Sequence, residues 1–154
     1  IIGVLSSIVL ASLNTARSKA RDAQRAQNMQ QIVIALQMYY LQYGCLPKTG
    51  GTTCGPAAGT YNESSPFGWD FSSQGGFLGF LETAGYMSKV PVDPINNMTS
   101  NEAPSETYSF AYFCEQSSPN PGLRLHYWKE KTPWQKFYVI PQGSSSPDPS
   151  FICK

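Results

Sequence analysis

Ile1-Ile2-Gly3-Val4-Leu5-Ser6-Ser7-Ile8-Val9-Leu10-Ala11 opens an uncharged run that lasts to Ala16. Arg17, Lys19, Arg21, Asp22 and Arg25 then follow within a few turns. No proline occurs before Pro47, so one helix is predicted over residues 1–44, about 66 Å long at 1.5 Å per residue. A head built from the rest of a 154-residue chain cannot cover such a rod. Its apolar end must therefore meet a membrane or further copies of the chain. The run is shorter than the ~20 residues that span a bilayer alone. It also begins without methionine, so further residues are expected upstream of Ile1. A secretory leader does not explain it, because the charged helix continues with no small-residue cleavage site.

Working outward, Met29, Ile32, Leu36, Tyr39 and Tyr43 recur at three and four residues and form one helical stripe. Ile32, Leu36, Tyr39 and Tyr43 are the expected helix–sheet core. Ile34, Met38 and Leu41 fall off that stripe and are read as a second apolar surface toward neighbouring subunits. Gly44 suits a C-cap and Pro47 a stop. Residues 45–76 lack either period and read as loop. Phe77 to Met87 suggest a short helix ended by Gly85, and Val90-Pro91-Val92-Asp93-Pro94 forbids helix or central strand. Tyr108–Cys114, Arg124–Lys129 and Lys136–Ile140 alternate as strands, giving an antiparallel meander over about 107–141. The expected class is α+β, a long N-terminal helix on a small antiparallel sheet. The domain division is a protruding half at 1–25 and a globular head at 26–154.

A net charge of +1 with 14% charged residues argues against a partner recognised by bulk electrostatics. Cys45, Cys54, Cys114 and Cys153 form an even set without C-x-x-C spacing, which points to two disulfides in an oxidising, extracytoplasmic place. Their spacing suits no zinc site, and no metal or cofactor is expected. His126 is the one histidine, and no nucleophile is identified beside it, so the chain is not read as an enzyme.

Two blocks of the sequence resemble the type IV pilin and pseudopilin family. The first runs from Ile1–Ala11 through Ala16-Arg17-Ser18-Lys19-Ala20-Arg21-Asp22-Ala23-Gln24-Arg25, Gln31-Ile32 and Leu36-Gln37-Met38-Tyr39-Tyr40 to Gly44 and Leu46-Pro47. The second, Gly85-Tyr86-Met87-Ser88-Lys89-Val90-Pro91-Val92-Asp93-Pro94-Ile95-Asn96, is similar to the G-Y-L-x-x-L-P-x-D-P stretch of pseudopilins and related pilins. The family's N-methylated phenylalanine and the glutamate after it are absent here, so its peptidase site and that glutamate's role fall on no residue of this sequence. Secretion pseudopilins carry an acidic calcium loop near the C-terminus, whereas this tail offers Asp148 among Ser, Pro and Gly. The resemblance thus implies a major pilin of an extracellular filament, held in the inner membrane before assembly. A secretion pseudopilin, or a minor pilin acting as a tip adhesin or DNA-uptake module, are the alternatives. The partners implied are further copies of the chain, an inner-membrane assembly platform, an assembly ATPase and a prepilin peptidase. No residue pattern supports DNA or a surface ligand as a partner.

Ile1, Ile2, Val4, Leu5, Ile8, Val9, Leu10 and Leu13 are the expected filament-core residues. Burying a Leu, Ile or Val gives about 1.5–3 kcal/mol, so seven of them sum to roughly 10–20 kcal/mol before ordering entropy. Gly3, with Ser6 and Ser7, marks a place where the helix can melt or pack closely. We expect Cys45 to pair with Cys54, closing the loop after the helix, and Cys114 with Cys153, tethering the tail to a strand. Arg17, Lys19, Arg21 and Arg25 are read as a solvated face or as partners of acidic residues on neighbours, ahead of lipid heads or DNA. Tyr39, Tyr40 and Tyr43 are read as core rather than a stacking platform, and Asp93 as a turn former. Phe67, Trp69 and Phe71 are expected in a loop, exposed or covering a sheet edge. Asn62-Glu63-Ser64, Asn97-Met98-Thr99 and Ser144–Ser146 are surface glycosylation candidates.

Overall fold

The computed structural model of the chain describes residues 2–49, 53–57, 69–97, 108–115, 122–130, 135–140 and 151–154. For residues 2, 4, 5, 57 and 135–140 it describes the backbone alone. Helix α1, Ile2–Tyr43, has 42 residues. Strand β1 (Asp70–Phe71), helix α2 (Gly79–Thr83) and strands β2 (Phe110–Glu115), β3 (Gly122–Lys129) and β4 (Gln135–Ile140) follow. The strands make one antiparallel sheet in the order β1-β2-β3-β4. The fold is α+β, with the second half of the long helix lying against the sheet.

The helical period fixes which side of α1 is buried. Met29, Ile32, Leu36 and Tyr39 are fully buried, on the stripe that 3.6 residues per turn generates. Tyr43 departs from the expected core and is 37% exposed. It is the last residue of α1 and packs its ring on Tyr39 at 4.6 Å. What passes over the two tyrosines is the backbone of Gly55, at φ +59°, where a Cβ would stand 2.4 Å from Tyr39 Oη and 3.1 Å from Tyr43 Cγ. A glycine has no side chain with which to cover Tyr43. Helix α1 ends as predicted, with Gly44 at φ +65° donating its N–H to the Tyr40 carbonyl at 2.7 Å.

Helix α2 is shorter than the 77–87 reading. Leu78 precedes it in the left-handed region at φ +48° and is buried, its N–H donated to the Asp70 carboxylate at 2.9 Å. Gly85 at φ +78° closes it in a Schellman arrangement: Tyr86 N–H reaches the Leu81 carbonyl and Gly85 N–H the Glu82 carbonyl.

Alternation along the strands splits the sheet into two faces. Phe110, Tyr112 and Cys114 of β2 and Leu123, Leu125 and Tyr127 of β3 join the core under α1. Ala111 and Trp128 point to the other face and pack with Phe71. The expected meander of three strands is thus extended by β1, inside the stretch read as loop. Two residues carry no readable period, and they pair with Tyr112 and Ala111 far along the chain.

Cys45 pairs with Cys54 and Cys114 with Cys153, at Cα separations of 5.9 and 5.5 Å. The C-terminus is also held by its backbone. Leu46 N–H reaches the Ile152 carbonyl at 2.7 Å, Lys154 N–H the Leu46 carbonyl at 2.9 Å, and Lys48 N–H the Lys154 carbonyl at 3.0 Å. Tyr112 Oη, fully buried and with its phenol pushed well up by that burial, donates to the Pro47 carbonyl at 2.6 Å. Leu36→Ala should cost about 2–5 kcal/mol as a core cavity, whereas Ile34→Ala, two residues away on the exposed side, should change stability by less than about 0.5 kcal/mol. Urea unfolding of the two variants checks this.

Candidate functional site

The N-terminal half of α1 leaves the head. No described side chain before Arg25 is buried, and Ile8, Val9, Leu10 and Leu13 are 42–64% exposed. The side chains of Ile1, Ile2, Val4 and Leu5 lie outside the described residues. Gly3 is helical with open space around its Cα. No described helix is long and apolar enough to cross a membrane. Farther along the same helix, Ile34, Met38 and Leu41 are also exposed, in contrast to the stripe that faces the sheet.

The boundary between stalk and head is a charged clamp. Arg25 is fully buried and grips Asp93 with two bonds, Nε to Oδ2 at 2.7 Å and Nη2 to Oδ1 at 3.0 Å. Its Nη1 donates to Asp22 Oδ1 at 2.8 Å and to Glu130 Oε1 at 2.7 Å. Arg21 adds Nε to Glu130 Oε1 at 2.6 Å and Nη2 to Glu130 Oε2. The Arg25 guanidinium lies 4.7 Å over the Tyr108 ring. Asp93 also keeps its turn role, its Oδ1 accepting the N–H groups of Ile95 at 2.9 Å and Asn96 at 3.3 Å.

This corrects the reading of the basic cluster as a solvated or neighbour-facing surface. Arg21 and Arg25 are satisfied within the chain, while Arg17 and Lys19 remain exposed. Burial opposes the charge of Arg25, but the bonds from Asp93, Glu130 and Asp22 outweigh it and hold the guanidinium protonated. Burial likewise pushes the Glu130 carboxyl up, and the hydrogen bonds from Arg21 and Arg25 reverse this, leaving it below its ordinary value.

The outer face of the sheet holds the lone histidine. His126 is buried and lies edge-on to Trp69 and Trp128, with ring centroids 4.8 Å away in each case. Trp69 also meets Phe113 at 5.0 Å. Of the two expectations for the loop aromatics, the sheet-edge one fits and exposure in a loop does not: Phe71 is buried in edge strand β1 and Trp69 half-buried beside it, because a two-residue edge strand lays both rings on the sheet. Phe67 lies outside the described residues. Among the described residues no group of three or more His, Cys, Asp or Glu is placed to hold a metal ion. Asn97 is exposed and accepts the Tyr108 N–H through Oδ1 at 2.8 Å, while Asn62, Asp148 and Ser144–Ser146 fall outside the description.

In comparison with known protein families, residues 14–147 match the family described as "Protein of unknown function (DUF1559)". The chain belongs to this family. No curated protein and no solved structure matches it. The DUF1559 match takes in Arg21, Asp22, Arg25, Asp93 and Glu130, all the acidic and basic members of the clamp.

Two outcomes follow from the clamp. Arg25→Met leaves Asp93 buried without its cation and should cost about 3–5 kcal/mol in denaturant unfolding, and adding Asp93→Asn should recover part of that loss. Glu130 has a folded-state pKa below its ordinary 4.5. Its contribution is therefore present above that value and lost as pH falls from about 4.5 through the lower folded value. Unfolding of Glu130→Gln measured as a function of pH should lose that part of the acid destabilisation.

Proposed function

We propose that the chain is a structural subunit, a major pilin, of a type IV pilus-like extracellular filament, and that it polymerises through its N-terminal helix. The observation that carries this reading is the uncharged stalk beyond the clamp, whose Ile8, Val9, Leu10 and Leu13 stand 42–64% exposed on a helix the head does not cover. In water such a surface is unfavourable by about 25 cal/mol per Å² of apolar area, and packing against other copies removes it. In lipid the same move gains much less, so subunits can wait in the inner membrane and be extracted or returned.

The element order supports the reading: long helix, loop, glycine-ended short helix, Pro-Val-Asp-Pro turn, antiparallel strands. Two disulfides and a stitched C-terminus suit a head that works outside the cytoplasm. A structural rather than catalytic role is in keeping with His126 lying buried between two indoles. The assembly platform, ATPase and prepilin peptidase are the partners this role calls for.

Electron microscopy of material sheared from the source cells, with helical reconstruction, tests the proposal. The expected outcome is a thin filament whose density follows this chain, with residues 1–25 at the axis. Filaments built from another subunit would remove the major-pilin reading and leave a minor pilin or a secretion pseudopilin.

A further inference from the structure

The face of the sheet turned away from α1 carries one row of side chains that the core under α1 does not use. Phe113 of β2 stands opposite Arg124 of β3. On the other side of Phe113, the pairing of Asp70 with Tyr112 and of Phe71 with Ala111 brings Trp69, one residue earlier, level with it. Alternation sets this row on the side of Ala111 and Trp128. It runs indole, phenyl, guanidinium across three neighbouring segments, about 10 Å at the usual strand spacing. Each of the three is partly exposed, above buried Phe71, Ala111, His126 and Trp128.

The aromatic end of the row is rigid. Trp69 is braced by three rings, Phe113 at 5.0 Å, His126 at 4.8 Å and Phe71 at 6.4 Å. Its indole therefore has little freedom to lose when a ligand settles on it. The cationic end is unspent. Arg21 and Arg25 are paired with carboxylates, whereas no carboxylate pairs with Arg124 among the described residues. The Arg124 guanidinium lies 5.7 Å from the centre of the Phe113 ring, and its Nε is buried without a hydrogen-bond partner. Glu115, two residues beyond Phe113, is paired instead with Lys48 at 3.1 Å.

We propose that this row is a saccharide-binding platform that selects a sugar carrying a single carboxylate, with pyranose ring on Trp69 and Phe113 and the carboxylate on Arg124. The chemistry of each part fits. The C–H groups on one face of a pyranose are weakly positive and meet the negative face of an aromatic ring. A guanidinium fork takes a carboxylate in two parallel bonds, and this one is not occupied by an acid of the chain. The length of the row admits two joined sugar rings, the acidic one at the Arg124 end. A nucleic-acid strand fits less well. It would stack on the same rings but brings a phosphate with every base, against one cation in the row and a net charge of +1 for the chain. The platform is independent of the filament reading, since it lies on the side of the sheet opposite α1.

The test titrates the full chain with a disaccharide of glucuronate and N-acetylglucosamine, and with the neutral disaccharide that has glucose in place of glucuronate. Saturation-transfer NMR and tryptophan fluorescence report binding. The expected result is transfer to the ring C–H protons of both sugars, with the acidic one bound roughly tenfold more tightly. Arg124→Gln, which leaves the ring packing in place, should bring the two affinities together. Trp69→Ala should weaken both by roughly tenfold or more in a chain shown by its unfolding midpoint to be folded. A chain that binds neither disaccharide would overturn the platform, as would an acidic preference that survives Arg124→Gln. A thymidine oligonucleotide that binds more tightly than both sugars and displaces them would overturn it in favour of a base-stacking face. Each of these overturning results leaves the filament reading standing.

Discussion

The arrangement depends on one buried guanidinium. Arg25 sits on the helix, Asp93 in the proline-rich turn and Glu130 just past β3, so the clamp ties three separate parts of the chain to one point. Burying a charge costs several kcal/mol, and a paired buried charge returns little net stability. Its force lies in what it forbids. Any rotation of α1 that withdraws Arg25 leaves Asp93 buried and uncompensated, so the helix has one allowed azimuth against the sheet. That azimuth turns Ile32, Leu36 and Tyr39 inward and leaves Ile34, Met38 and Leu41 outward. It also fixes the point at which the stalk leaves the head.

The other end of the packed half is held by different chemistry. Gly44 caps the helix, Cys45 is bonded to Cys54, and the chain after it pairs with residues 152–154, while Cys153 is bonded to β2. Twenty residues of helix, about 30 Å, therefore lie between an ionic clamp and a covalent one. A head this small has a limited core, and disulfides constrain its unfolded ensemble by about 2–4 kcal/mol each. Strain applied along the stalk would be taken up at Arg25 and at the stitched end rather than by the sheet alone.

Much of this was legible because it is local. The 29–32–36–39 stripe, Gly44, Gly85 and the Pro91–Pro94 block each act within a few residues, and α1, its cap, the end of α2 and three strands follow from them. What escaped depends on distance in sequence. Strand β1 is defined by its partners Ala111 and Tyr112, and Arg25 by Asp93 and Glu130, which lie 68 and 105 residues away. Arg25 did leave a trace: it stands four before Met29 and continues the core stripe at the same spacing, a place where a solvated arginine does not belong. Tyr43 continues that stripe at the other end but outruns its cover, because the segment above it is a bare glycine backbone. Trp69 was legible only as one of a cluster of loop aromatics and not as a partner of His126, since one aromatic beside a two-residue strand has no period.

The clamp also explains why one helix can serve two environments. Below Arg25 the helix is a core element on one side, where Met29, Ile32, Leu36 and Tyr39 are covered by the head. Above it Ile8, Val9, Leu10 and Leu13 stand exposed, and the exposed Arg17 and Lys19 mark the change. Were Arg25 solvated, the boundary could slide, and the stalk could lower its exposed area by tilting onto the head. A buried, four-bonded guanidinium removes that option. The apolar surface of the stalk is therefore preserved in the isolated chain, at a free-energy cost that only another apolar surface can relieve.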